Sequence, residues 1–276
     1  MLASVDREGT VLVWELARGR EVQKITAHGG TRATVAITPD ERLVVSNASR
    51  DALGVWDAKT GQPAGRITTG RDAVDVTFSR DGRRLAWALP ITARAGPNIG
   101  LWDLRANRPL AALLSQGTPH AVRLSPDGRL LAAGDFSNDY VVEVWALPNT
   151  QAKSRLAGLP YGVVDLAFSP DSRLVAAAAS TKVIIWNATS GQQVQSLSVT
   201  APYPSVDFTA DGRRVVTSGS AGAGIQIWNV SDGKPLEDPK LAARGGFVHK
   251  VLCLPDRRGA VSGYSDGSIR LWRLPD

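Results

Sequence analysis

The chain has 276 residues, 43% of them hydrophobic and 21% charged. That composition excludes a disordered chain and fits a globular protein able to bury roughly 70–75% of its unfolded surface. The net charge of +6 is not clustered as a nucleic-acid groove requires, because arginines stand beside aspartates, as in "RDGRR" at 80–84.

One cysteine, Cys253, rules out an internal disulfide. The start, "MLASVDREGTVLVWEL", has no basic region followed by an apolar one, and no stretch of 18 apolar residues runs without charge. The expectation is a cytoplasmic protein with no nucleic-acid or membrane partner; a longer parent chain with an anchor would place it in the periplasm instead. Arginine outnumbers lysine 25 to 7, a bias associated with GC-rich bacterial genomes.

In chain order, short strands and tight turns recur. The first interval reads as three strands, "MLASVD", "TVLVWEL" and "REVQKIT". From there a corner centred on aspartate returns at Asp40, Asp81, Asp127, Asp171, Asp211 and Asp256, with spacings of 41, 46, 44, 40 and 45. An alternating, β-branched run ending in tryptophan returns at Trp14, Trp56, Trp102, Trp145, Trp186, Trp228 and Trp272, with spacings of 42, 46, 43, 41, 42 and 44. Two independent markers share one period, the signature of a repeat architecture.

The interval 163–197 reads as four strands: "VVDLAFS", "RLVAAAAS", "KVIIWNA" and "SGQQVQSLS". The corner supplies the hairpin turn between the first two, with proline setting φ, aspartate accepting nearby amides and glycine taking positive φ. A second turn, "ARGR", "KTGQ", "TSGQ" or "SDGK", places glycine between strands three and four. Small residues after the corner suit sheets that crowd one another. Trp87 falls outside the pattern and is expected in the core. Helical periodicity is absent.

The residues resemble the WD-repeat β-propeller family. Trp56–Asp57 and Trp102–Asp103 match its dipeptide, with Trp14–Glu15, Trp186–Asn187 and Trp228–Asn229 as degenerate forms and Ala27–His28 in place of Gly-His. The resemblance implies an all-β, seven-bladed β-propeller of four-stranded antiparallel blades. The first blade lacks its innermost strand and the last its outermost. The alternative is six blades closed by "REVQKIT". One domain spans 1–276, read as a fragment of a longer chain or one whose start is misplaced by about ten residues. The family's His-Ser-Asp-Trp chain would fall on His28, Ser46, Asp51 and Trp56. In the last blade it would fall on Ser262, Asp266 and Trp272, with Arg244 where the histidine belongs.

Catalytic signals are weak. His28, His120 and His249 lie in different repeats and offer no metal-ligand spacing; "GSAGAG" (219–224) lacks the helix and lysine of a phosphate loop. Asp75 and Asp165 hold matching places in innermost strands, and Asp207 reads as shifted by one; in this family such aspartates are common. No catalytic residue, metal or cofactor is assigned. The resemblance implies a non-catalytic scaffold, a module of a larger regulatory protein, with a lactonase- or hydrolase-type propeller enzyme as the alternative. Partners in this family usually dock on the loops entering the innermost strands and joining strands two and three. Register places Arg32, Arg71, Tyr161, Tyr203, Phe247 and His249 on the first set and Arg94, Asn138 and Tyr140 on the second. An aromatic side facing a cationic side suits an acidic or phosphorylated peptide, bound by a monomer.

Overall fold

The computed structural model describes residues 1–28, 33–90, 96–137, 139–199, 201, 203–218, 224–238, 241, 246–255 and 259–275. These residues form 26 strands in seven antiparallel sheets. The first sheet holds β1 (Leu2–Val5), β2 (Thr10–Glu15) and β3 (Arg20–Thr26). The second holds β4 (Val35–Ile37), β5 (Leu43–Ser49), β6 (Ala52–Asp57) and β7 (Pro63–Thr68). The third holds β8 (Asp75–Phe78), β9 (Arg84–Ala88), β10 (Ile99–Asp103) and β11 (Arg108–Leu113).

The fourth runs β12 (Pro119–Leu124), β13 (Leu130–Asp135), β14 (Val142–Ala146) and β15 (Gln151–Leu156). The fifth has β16 (Asp165–Phe168), β17 (Leu174–Ala179), β18 (Lys182–Asn187) and β19 (Gln193–Ser198). The sixth has β20 (Val206–Phe208), β21 (Arg214–Ser218), β22 (Ile225–Asn229) and β23 (Pro235–Leu236). The seventh has β24 (Val248–Cys253), β25 (Gly259–Tyr264) and β26 (Ile269–Arg273). Seven blades, three-stranded at both ends of the chain, agree with the sequence reading. The six-blade alternative fails because β3 pairs with β2 in the first sheet. The chain divides into two compact units, Met1–Leu124 and Ser125–Asp276.

The corner turn works through a hydroxyl as well as the aspartate. In each of five described corners a Ser or Thr two residues before the Asp donates to Oδ1, at 2.6–2.7 Å: Thr38, Ser79, Ser125, Ser169 and Thr209. The same Oδ1 accepts the amide two residues on, from Arg42, Arg83, Arg129, Arg173 and Arg213. The residue after the Asp has positive φ. Gly82, Gly128 and Gly212 take it without cost, and Glu41 and Ser172 adopt it too. The bonds therefore fix the turn even where the residue type does not.

The strand that ends in tryptophan carries the core in the first six sheets. The residue before the tryptophan is 0–6% exposed in the first six sheets: Val13, Val55, Leu101, Val144, Ile185 and Ile227. Within each unit this face packs on the following sheet: Val183 and Ile185 meet Val206, Phe208 and Trp228, and Ile225 and Ile227 meet Val251, Ala260 and Trp272. Val11, Val13 and Trp56 pack likewise, as do Leu53, Val55, Leu85 and Trp87. Each fully buried aliphatic side chain contributes about 1.5–3 kcal/mol. The alanine run Ala176–Ala179 is fully buried, so small side chains let neighbouring backbones approach. Trp87 is core because its cross-strand partner is Gly100: a Cβ there would lie 2.1 Å from the indole.

Five of the outer strands, β3, β7, β11, β15 and β19, are mostly exposed, with one buried aliphatic residue each. Ile25, Ile67, Leu113, Leu156 and Leu197 are buried, each opposite the residue three before the tryptophan. One aliphatic side chain thus fastens a solvated edge strand.

Candidate interaction face and inner-strand network

In the second unit, the loop leading into the first strand of three consecutive sheets carries one exposed aromatic. Tyr161 is 60% exposed, Tyr203 71% and Phe247 52%. Large apolar side chains this open cost solvation free energy in an isolated protein and are typical of contact surfaces. Their loops are held from below. Val163 N–H donates to Asp135 O, Ser205 N–H to Ser218 Oγ and Phe247 N–H to Ser265 Oγ. A Cβ on Gly162 would strike the Phe136 backbone at 2.2 Å, so glycine seats the turn beside Tyr161.

The remaining sequence-predicted contact residues divide. Tyr140 is half-buried at φ +55°, its amide bonded to the buried carboxylate of Asp135. His249 is exposed on β24, at the bulge between Val248 and Lys250, not in a loop. Arg71 is spent on structure: its guanidinium donates to Pro90 O at 2.6 Å and Pro97 O at 2.9 Å. It pins the third sheet's long connection, a role its exposed-loop position in the sequence concealed. Arg32, Arg94, Asn138 and Arg244 lie outside the described residues.

The expected structural chain in the second sheet is not assembled. His28 N–H donates to Asn47 O, and Ser46 Oγ to the same carbonyl; Asp51 instead accepts from Ser49 and Arg66. The bulge between Asn47 and Ser49 explains this, since it leaves Asp51 in the β5–β6 turn, 60% exposed. Trp56 is buried core. In the last sheet Trp272 Nε1 donates to Ser262 Oγ at 2.7 Å, while Asp266 binds the Ser268 amide. The Trp-to-hydroxyl bond recurs at Trp14–Ser4 and Trp228–Thr217.

The inner-strand carboxylates are linkers between sheets. Asp75 accepts the Val122 amide at 2.9 Å and Arg123 Nη1 at 2.5 Å. Asp165 accepts the Val206 amide and Ser205 Oγ, and Lys250 Nζ lies 2.6 Å from both its oxygens. Ser205 Oγ accepts the Val251 amide, and Asp207 accepts the Cys253 amide.

One rule covers the four amide bonds. A polar side chain on one innermost strand accepts the amide one position further along the next. Asp207 is two places from the register of Asp75 and Asp165, not one: it stands four residues before Asp211, they six before Asp81 and Asp171. An even offset keeps it on the same strand face. Ser205 fills the matching register, and Lys250, six before Asp256, fills it in the seventh repeat.

Desolvation pushes Asp207 up to about 6; the Cys253 amide and Lys250 oppose the rise and Asp165 adds to it. Burial, then the Asp207 and Asp211 charges, pushes the Cys253 thiol up, so it is no thiolate nucleophile. Among the described residues no cluster of three or more His, Cys, Asp or Glu could hold a metal ion.

Repeated hairpin sheets, an Asp-centred corner and a strand ending in tryptophan define a β-propeller. The family model "WD domain, G-beta repeat" matches residues 155–187 and 242–273, in the second unit. Curated relatives include Protein HIR1 of Yarrowia lipolytica, 25% identical over 183 residues, covering 59% of this chain and 15% of that protein. WD repeat-containing protein SL1-17 of Schistosoma mansoni is 27% identical over 149 residues, covering 52% and 46%. Protein hir-1 of Neurospora crassa is 31% identical over 103 residues, covering 30% and 10%. The chain thus spans less than half the length of each of these relatives.

Proposed function

We propose that the chain is a non-catalytic interaction scaffold, a module that holds a protein or peptide partner on the loops entering the first strands of its second unit. The observation that carries this reading is the trio Tyr161, Tyr203 and Phe247, exposed in equivalent loops of three consecutive sheets. The matches to WD repeats and to WD-repeat relatives support it at the coarser level of protein binding. Rigid strands presenting aromatic loops give a partner large contact area at small entropic cost.

The partner is an acidic or phosphorylated segment, bound by a monomeric scaffold in the cytoplasm. The net charge of +6 favours negative charge. The enzyme reading has no comparable support, since the inner carboxylates are engaged by amides, Ser205, Arg123 and Lys250.

The test is affinity capture with the wild type and with the triple variant Tyr161→Ala, Tyr203→Ala, Phe247→Ala. Proteins retained by the wild type should be lost from the variant while its melting temperature stays within about 2 °C. Identical retention removes the aromatic loops from the account.

A further inference from the structure

The three strands that follow the aromatic loops are bonded to one another in every combination. β16 and β20 meet through Asp165, which accepts Ser205 Oγ at 2.6 Å and the Val206 amide at 3.1 Å. β20 and β24 meet where Ser205 Oγ accepts the Val251 amide and Asp207 the Cys253 amide. β24 and β16 meet through Lys250, whose Nζ lies 2.6 Å from both oxygens of Asp165, two sheets away. All of these groups belong to the second unit.

The third link changes the mechanics. Strands joined only to their neighbours can splay about the middle one. A bond from the last strand to the first closes a triangle and removes that hinge. The Asp165 side chain is 6% exposed, and bonds to a charge in so dry a site are stronger than exposed ones.

The sequence sets this triangle under the aromatics. Six residues before each corner aspartate stand Asp165, Ser205 and Lys250 in the last three repeats, and Thr34, Asp75 and Ala121 in the three before them. Ala121 has no side-chain donor or acceptor, so the row breaks there, and Asp75 links its strand to one neighbour, β12. Tyr161 stands four residues before Asp165, Tyr203 two before Ser205 and Phe247 three before Lys250. The three sheets that present an exposed aromatic are thus the three whose innermost strands are braced.

We propose that Lys250 is a positioning residue for the aromatic face. Its bond to Asp165 fixes the spacing of the Tyr161, Tyr203 and Phe247 loops, so a partner meets three aromatics at preset distances. This deepens the docking reading above and rests on it. A face set in advance loses less freedom on binding, and it selects partners whose own contact points match its spacing.

The test measures spacing and needs no partner. A ketone-bearing phenylalanine analogue replaces two of the three aromatics in the full 276-residue chain and carries spin labels, whose distance distribution is read by electron–electron double resonance. The wild type should give narrow distributions for the Tyr161–Phe247 and Tyr161–Tyr203 positions. Lys250→Met should broaden the first about twofold. It should leave the second unchanged, because Asp165 keeps its bonds to Ser205 and Val206. Lys250→Arg retains a cation for Asp165 and should restore the narrow first distribution. Loss of folding would broaden both pairs and cannot give that pattern. An unchanged Tyr161–Phe247 distribution in Lys250→Met, broadening of both pairs together, or no recovery with arginine overturns the proposal. Partner proteins retained by the triple aromatic variant would overturn the docking reading instead, so the two failures are distinct.

Discussion

Lys250 of β24 holds both carboxylate oxygens of Asp165 on β16, at 2.6 Å, and so ties the seventh sheet to the fifth. The Asp165 side chain is almost fully buried while Lys250 is 39% exposed, so removing the lysine leaves a buried carboxylate with fewer partners. Lys250→Met should destabilise the second unit by about 1–3 kcal/mol in urea unfolding, the low side of values for broken buried pairs because the lysine is partly solvated. Asp165→Asn with Lys250→Met should cost less than the sum of the two single changes. Strict additivity would show that the pair is not coupled.

Asp207 makes a pH prediction with a definite sign. Its folded-state pKa, about 6, lies above its ordinary value of 3.8. The stabilisation from this group is therefore complete below the ordinary value and is lost as pH rises through 6. Asp207→Asn keeps an oxygen for the Cys253 amide and removes the charge. The variant should melt above the wild type at pH 7.5, and the gap should shrink by pH 5. A gap independent of pH contradicts the assignment.

The corner aspartates act in the opposite sense. Bonds from Thr38, against a smaller desolvation, hold Asp40 below its ordinary value. For Asp127, burial works the other way but is outweighed by Ser125, Arg129 and Ser172. Asp81, Asp171 and Asp211 are lowered likewise, burial again opposed by hydroxyl and amide bonds. Their stabilisation is present above pH 3.8 and is lost as pH falls through the lower folded values. Ser125→Ala should cost about 1–2 kcal/mol, since Ser125 Oγ also accepts the Leu130 amide in a fully buried site. It should also move acid unfolding to higher pH. An unchanged acid midpoint would remove the hydroxyl from the turn's energetics.

Arg71 is predicted to act on structure. Arg71→Met should speed amide exchange at Leu89 and Asn98, which flank the carbonyls it binds. Unaltered exchange would return Arg71 to the list of surface contacts.

Much of this was legible in the sequence. Trp and Asp spacings fixed seven sheets, and the starting and finishing strands of each end blade followed from counting. Turn chemistry is local, so "SPDG" announces itself wherever it stands. The inner-strand network was harder to read. Asp165, Ser205 and Lys250 lie 40 and 45 residues apart, and only counting back from each corner sets them in one register. Lys250 gives no sign of its role in the sequence, because its partner Asp165 lies 85 residues away and two repeats earlier. Arg71 was misread because exposure of a loop does not reveal which carbonyls fold back over it. Asp51 was misplaced by a bulge, which no residue pattern in β5 signals.

The direct measurement of the central claim is site-specific photo-crosslinking in the source cell. A photoreactive residue replaces Tyr203 or Phe247 in the loops, or Val194, which is 42% exposed on the outer strand β19. The account predicts a discrete crosslinked protein from both loop positions and none from Val194. Crosslinks from Val194 alone, or the same products from all three sites, would contradict it.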